Sequence, residues 1–281
     1  MSRESGIAGA ARALKDADAL LITAGAGMGV DSGLPDFRSA GGLWNAYPPM
    51  ARLGKSFIEL ADPRWFRDDP KLAWGFYGYR LNLYRKTEPH EGFRRLLEIA
   101  RLKRGGHFVF TSNVDGHFQK AGYDENLIEE CHGSIHHFQC SGPCCDRIWD
   151  AGGVRVAVDE ETLEAREPLP RCEACGAVAR PNVLMFGDWH WIEGRTEAQA
   201  HRFAEWLDGV RERGLRLAVL EIGAGTAIAT VRSTSEYVAR LFDARLVRIN
   251  PREYSVPDGQ IAVPLGAREG IAGICGRHLA A

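Results

Sequence analysis

Residues 19–23 read Ala-Leu-Leu-Ile-Thr, an apolar run with no polar face and too short for a helix of ordinary length. It leads into Gly25-Ala26-Gly27, and an apolar run bounded by glycines reads as a short buried strand. The same signature recurs at 107–111 (HFVFT), 215–222 and 246–249, with a weaker candidate at 126–129. Between these runs the spacing of apolar residues predicts helices over 6–18, over much of 55–104 and over Thr230–Phe242. Prolines at 63, 70 and 89 interrupt the second of these. Strands alternating with helices imply an α/β fold, a doubly wound parallel sheet of Rossmann-like type.

In such sheets ligands bind beyond the carboxyl ends of the strands. Four segments lie directly after the expected strands: 24–38, 112–116, 223–227 and 250–252. They carry small residues, amides and acids, and they are the places to look for a site. The first, Thr23 to Ser39, reads TAGAGMGVDSGLPDFRS. Gly25 and Gly27 suit a backbone that approaches a pyrophosphate closely. Val30 stands where the common dinucleotide fingerprint has its third glycine, and no acid ends a second strand at the usual distance, which disfavours an ordinary dehydrogenase. Asp36-Phe37-Arg38 adds an acceptor, a ring and a cation that a phosphate cradle does not need.

Net charge is −2, with 45% apolar and 26% charged residues. With no basic tail or patch, that balance argues against a general nucleic-acid or membrane-surface binder. The amino-terminal stretch has no uninterrupted signal-peptide core, and no apolar run is long enough to span a bilayer. A cytoplasmic enzyme is the expectation. Of seven cysteines, six fall between 131 and 175. An odd number, clustered in a chain without a leader, favours a metal over disulfides. Cys172-Glu-Ala-Cys175-Gly has the spacing of a zinc knuckle, with two thiolates on a tight turn. Residues 131–180 also change character, rich in cysteine, proline, glycine and charge, and read as a small inserted module.

The loop resembles the GAGISxxSGIPDFRS segment of the sirtuins, NAD-dependent protein deacylases. TSNVDGHFQKAG at 111–122 is similar to that family's TQNIDxLHxxAG, CHGS at 131–134 to its catalytic HG, and RPNVLMFGD at 180–188 to RPxVVxFGE. GAGT at 223–226 and INP at 249–251 stand where the family has GTS and IN. The resemblance spans about residues 10–270. It implies a Rossmann-like NAD domain built from 1–134 and 181–281, with a helical insertion near 45–104, and a zinc-binding module over 135–180. NAD and an acyl-lysine peptide would meet between them. NAD would be consumed, leaving free lysine, nicotinamide and O-acyl-ADP-ribose.

The resemblance also implies residue roles. His132 matches the general base that activates a ribose hydroxyl. Asn113 and Asp115 match groups that hold ribose and carboxamide, with Ser112 beside them. Gly25, Ala26, Gly27, Asp36, Phe37 and Arg38 form the cofactor loop, Phe37 as an apolar lid. Gly223, Gly225 and Thr226 would contact phosphate or ribose, Asn250 the adenine-side ribose, and Ala267 the adenine through its backbone. Pro181–Gly187 would be an edge strand on which the substrate peptide pairs, with Val183, Phe186 and Gly187 against it. One structural zinc would be held by Cys140, Cys145, Cys172 and Cys175, the choice of Cys145 over Cys144 following a family spacing in which an aromatic residue, here Trp149, lies four positions on. Cys131 reads as packing, and His136 and His137 as structural or surface residues.

Three departures stand out. Ser112 replaces a Gln, Gly29 replaces a Ser, and His117-Phe118 replaces Leu-His. The shorter Ser112 puts the outcome between deacylation, protein ADP-ribosylation and NAD hydrolysis, with the retained His132 favouring deacylation. The stretch 74–80, WGFYGYR, is similar to the acyl channel of sirtuins that remove acidic acyl groups such as succinyl. Tyr77 and Arg80 lie i, i+3 on one helix face and could hold a carboxylate there.

Overall fold

A computed structural model of the chain describes residues 3–35, 54–159 and 161–279. The strands in chain order are β1 (Ala19–Ala24), β2 (His107–Thr111), β3 (Ile128–Glu130), β4 (Gly133–Cys140) and β5 (Ile148–Asp150). They continue with β6 (Ala179–Val183), β7 (Leu217–Ile222), β8 (Arg245–Ile249) and β9 (Ile261–Val263). Six of them form one sheet in the order β3-β2-β1-β7-β8-β9, with every neighbouring pair parallel. β4, β5 and β6 form a separate antiparallel sheet with β4 in the middle.

The parallel sheet is buried on both faces because most positions of its central strands are apolar, and the buried charges Glu221 and Arg248 pair with each other. In β1, Leu20 and Ile22 point into one core while Ala19 and Leu21 point into the other. The first core is closed by α1 (Arg3–Asp16), α6 (Glu91–Arg101) and α10 (Ala267–Leu279), through Leu14, Phe93, Leu97, Ile271 and Ile274. The second is closed by α8 (Gly194–Glu212) and α9 (Thr230–Leu241), through Phe203, Val210, Val231 and Val238. Short helices α2 (Gly27–Val30), α3 (Phe57–Leu60), α4 (Trp65–Asp68) and α7 (His117–Lys120) lie in the connections.

A third core joins the helical insertion to the antiparallel sheet. Its central helix is α5 (Pro70–Lys86). Asp69 caps it by accepting from the Leu72 amide at 3.1 Å, and Pro70 occupies the first turn, where a missing N–H costs nothing. Trp74 donates its indole N–H to the Ala179 carbonyl at 2.8 Å, and its ring meets Phe138. Phe66, Phe76, Tyr77, Ile135 and Val183 complete the contact.

Most expected elements are present with shifted ends. β3 begins two residues later than 126–129 because 125–127 wind into a 3-10 turn. The expected strand across Pro181–Gly187 is a correction: it stops at Val183, and β6 is indeed the edge of its sheet. Beyond it the Leu184 amide bonds the His132 carbonyl at 3.0 Å and the Phe186 amide bonds the Ala61 carbonyl at 3.0 Å, so those residues leave the ladder. β9 and α8 have no counterpart in the sequence reading. β9 is three residues long, and α8 buries only Thr196, Gln199, Phe203 and Val210, too sparse a stripe to stand out.

The strand order reverses between β1 and β7, and there the two following loops interlock. The Gly25 amide donates to the Ile222 carbonyl and the Gly27 amide to the Gly223 carbonyl, both at 3.0 Å. A Cβ on Gly27 would stand 2.7 Å from the Gly223 Cα, and Gly223 itself has φ +63°. Neither position admits a side chain. We expect Gly27→Ala to destabilise the protein by about 1–3 kcal/mol, as overpacking against backbone does. Gly209→Ala, in open space on α8, should be neutral or slightly stabilising. Thermal melts of the two variants, compared with wild type, check the contrast.

Candidate active site

The carboxyl ends of β1 and β2 and the turn between β3 and β4 converge on one cavity of about 260 Å³. Its polar side comes from the sheet loops: Ala26 after β1, and Ser112, Asn113 and Asp115 after β2. His132 lies in the turn between β3 and β4 and faces the same space. Gly133 explains the position of that turn. It has φ +76°, and a Cβ there would fall 2.1 Å from the Asn182 carbonyl oxygen. Only glycine lets β4 start this close to β6.

The amides and acids of the β2 loop are held in place. Asn113 donates Nδ2 to the Gly25 carbonyl at 3.0 Å, and its backbone N–H bonds Thr111 Oγ1 at 3.0 Å. Asp115 accepts from the His117 amide at 2.9 Å, and its carbonyl is 2.9 Å from His136 Nε2. His136 is thereby a structural partner of the loop. His137 pairs with Asp150 across β4 and β5, and burial pushes its imidazole down to about 4. Cys131 packs against the core beneath α8.

The opposite wall is apolar and comes from the third core. Val183 ends β6 and Met185 and Phe186 follow it, while Tyr77, Arg80 and Tyr84 come from α5. Tyr77 is 1% exposed, and burial pushes its phenol up to about 12, so it stays protonated. Arg80 is 6% exposed. Its guanidinium carbon lies 5.3–5.5 Å from the ring centres of Phe57, Phe76, Tyr77 and Tyr84. The loop after β6 is held by a buried ion pair: Arg180 donates Nη1 to Asp188 Oδ1 at 3.0 Å and Nη2 to the Val183 carbonyl at 2.9 Å.

Not every expected residue meets in this cavity. Asp36, Phe37 and Arg38 lie outside the described residues. Gly187, with φ +66°, turns away from the cavity lining. Gly225, Thr226, Asn250 and Ala267 lie further along the sheet edge. Asn250 Nδ2 ties the β8 loop to the Ala224 carbonyl at 3.0 Å, and Asn250 Oδ1 accepts from the Arg252 and Glu253 amides. Glu253 in turn accepts from the Thr226 amide at 3.0 Å and from its hydroxyl, which draws its pKa down. Ala267 opens α10, and the next amide, Arg268 N, bonds Asp31 Oδ2 at 2.8 Å. The amides of Gly25 and Gly27 are taken by the carbonyls of Ile222, at the end of β7, and Gly223, just after it, so the glycines are required first by loop packing. Tyr84, Phe57 and Met185 are lining residues that the sequence reading missed. Tyr84 had a usable signal, since it lies i+4 from Arg80 on the same helix.

The cysteines correct one expectation. Sγ atoms of Cys140, Cys144, Cys172 and Cys175 all lie within 4.8 Å of one another. Cys140 and Cys175 are 3.6 Å apart, and Cys144 and Cys172 are 3.7 Å apart. Zinc–thiolate bonds of about 2.3 Å in a tetrahedron require edges of about 3.8 Å, so these four residues fit the ion. Cys144, not Cys145, completes the group. Cys145 Sγ lies outside the group, 3.7 Å from Cys144 Sγ. N–H groups of Cys175 and Ala174 point at the Cys172 sulfur and draw its thiol pKa down.

The fold and site together are those of a doubly wound nucleotide-binding enzyme carrying a four-thiol metal module. A model of the Sir2 family matches residues 25–203. The chain is 32% identical over 267 residues to an NAD-dependent protein deacylase of Thermus thermophilus, covering 94% of this chain and 91% of that one. It is 35% identical over 187 residues to the mitochondrial NAD-dependent protein deacylase sirtuin-5 of Canis lupus familiaris, covering 60% of this chain and 56% of the relative. A solved Sir2 homolog–NAD complex matches the fold with a TM-score of 0.71 at 23% identity, over 97% of this chain and 94% of that one. The chain belongs to the Sir2 family. No helix among the described residues is long and apolar enough to cross a membrane.

We expect purified protein to carry one zinc per chain by metal analysis. Cys144→Ser should lose it and Cys145→Ser should keep it. Because structural zinc is coupled to folding of its module, Cys172→Ser should also lower the melting temperature. Retention of zinc by Cys144→Ser would return Cys145 to the ligand set.

Proposed function

We propose that the protein is an NAD-dependent protein lysine deacylase that transfers the acyl group to ADP-ribose. The observation that carries this is the single cavity in which Asn113, Asp115 and His132 face an apolar wall of Val183, Met185 and Phe186. NAD is the co-substrate, and its nicotinamide–ribose bond is the one that breaks. Asn113 and Asp115 orient the ribose and the carboxamide, and their own hydrogen bonds keep them from moving during the reaction. The apolar wall keeps water from the cationic sugar, so that the acyl amide oxygen attacks the carbon that nicotinamide leaves. His132 takes the proton of a ribose hydroxyl, acting as the general base of the site. After one water is added, free lysine and O-acyl-ADP-ribose leave. Zinc, when bound by its four thiolates, shapes the module and has no open position for substrate.

The substrate's acyl chain would lie along Tyr77 and Arg80. A desolvated guanidinium and a protonated phenol on one cavity wall favour a terminal carboxylate over a methyl group. Each charge-assisted hydrogen bond contributes about 1.5–3 kcal/mol. This supports succinyl- or malonyl-lysine as the preferred class.

Three measurements test these readings. His132→Ala should abolish deacylation while NAD affinity stays within about tenfold, because the base acts after the co-substrate is seated. Near-wild-type turnover would remove His132 from the mechanism. NAD consumption should require an acyl-lysine peptide; consumption without one indicates ADP-ribosylation or hydrolysis instead. Arg80→Met should reverse a wild-type preference for succinyl over acetyl peptides, read as the ratio of kcat/KM. An unchanged ratio would leave deacylation without the acidic preference.

A further inference from the structure

Tyr84 is a second tyrosine at the cavity, one turn beyond Arg80 on α5. Its phenol oxygen lies 3.1 Å from Arg80 Nε and 3.0 Å from Arg80 Nη2. Contact with both nitrogens places the oxygen on one lateral edge of the guanidinium and close to its plane. A single bond would let the group turn about its axis; two fix its rotation. Four rings also pack around it, with centres 5.3–5.5 Å from the guanidinium carbon. Both partners are on one rigid helix, so the arrangement exists before any substrate arrives.

The nature of the partner matters as much as its place. A carboxylate on that edge would neutralise Arg80 and compete with a carboxylate on the substrate. A phenol accepts the same two hydrogen bonds and brings no negative charge of its own to that edge. Tyr84 also lines a second cavity, of about 320 Å³, together with Asp115. Its ring is therefore wall, while its hydroxyl acts on Arg80.

We propose that Tyr84 is a positioning residue for acyl selection: its hydroxyl holds the Arg80 guanidinium edge-on, so that the remaining N–H groups meet an acyl carboxylate bidentately. The inference rests on the acidic-acyl reading of the site. It adds the residue that converts a buried arginine from a diffuse positive charge into a directed fork. Charge alone would favour any anionic acyl group; a fork held at a set angle favours a planar carboxylate at one chain length.

The test is a cycle of four proteins: wild type, Tyr84→Phe, Arg80→Met and the double variant. Phenylalanine keeps the wall and removes only the hydroxyl. Each is assayed with succinyl-lysine and acetyl-lysine versions of one peptide. Tyr84→Phe should lower the succinyl-to-acetyl ratio of kcat/KM by about tenfold, chiefly through KM for the succinyl peptide. In the Arg80→Met background the same change should have no further effect on the ratio, because the group it positions is gone. If wild type favours succinyl and Tyr84→Phe leaves the ratio unchanged, or lowers it equally with and without Arg80, the positioning role is overturned while the acidic-acyl reading stands. An equal fall for both peptides would make Tyr84 a packing residue only. A wild type that favours acetyl overturns both.

Discussion

The backbone contact between the loops after β1 and β7 is the constraint on which the site depends. It lies where the strand order reverses, the one place in a doubly wound sheet where adjacent loops diverge and leave a crevice. Here the loops are locked before they part. Gly27 and Gly223 meet backbone to backbone, the Gly223 amide bonds the Ile249 carbonyl, and Asn250 bonds the Ala224 carbonyl. Asp31, just past the same β1 loop, bonds the first turn of α10. Four segments distant in sequence thus share one hydrogen-bonded frame. Asn113 joins it through the Gly25 carbonyl, so the loop that faces the cavity inherits the stiffness of the sheet.

The other half of the site has a separate origin. α5 and the antiparallel sheet share a core in which Trp74, Phe76 and Phe138 are fully buried. The Arg180–Asp188 pair lies beneath the loop that carries Met185 and Phe186. A buried pair of this kind contributes little net stability, since desolvation offsets its attraction. Its bonds to the Val183 carbonyl and the Met185 amide do fix the loop's path. The cavity is what remains between a polar frame built on the parallel sheet and an apolar wall built on this third core.

Several features were legible in the residues alone. Runs such as Leu217–Ile222 have one reading, because a six-residue run with five apolar positions, broken only by Glu221, suits a strand covered on both faces. The loops that follow such strands must lie at one edge of the sheet, so Ser112, Asn113 and Asp115 could be assigned to a site before any contact was known. The i, i+3 spacing of Tyr77 and Arg80 likewise fixed a shared helix face. Less was legible where long-range contact decides. Whether Cys144 or Cys145 joins Cys140, Cys172 and Cys175 depends on the path of the loop from β4 to β5. The end of β6 depends on which carbonyls, those of His132 and Ala61, reach the amides of Leu184 and Phe186 first.

The sequence by itself determined the layered α/β architecture, the edge at which a ligand binds and the residue types that meet there, because strand burial and helix periodicity are local properties of apolar spacing. Tertiary structure alone decided that the glycines serve loop-to-loop packing, that Cys144 completes the thiol group, and that Tyr84 holds Arg80 at the cavity. Each of these turns on distances of a few ångströms between segments apart in the chain or between side chains whose rotamers only packing selects. No pattern along the sequence encodes such distances, since they arise only when the sheet, the helical insertion and the cysteine module close on one another.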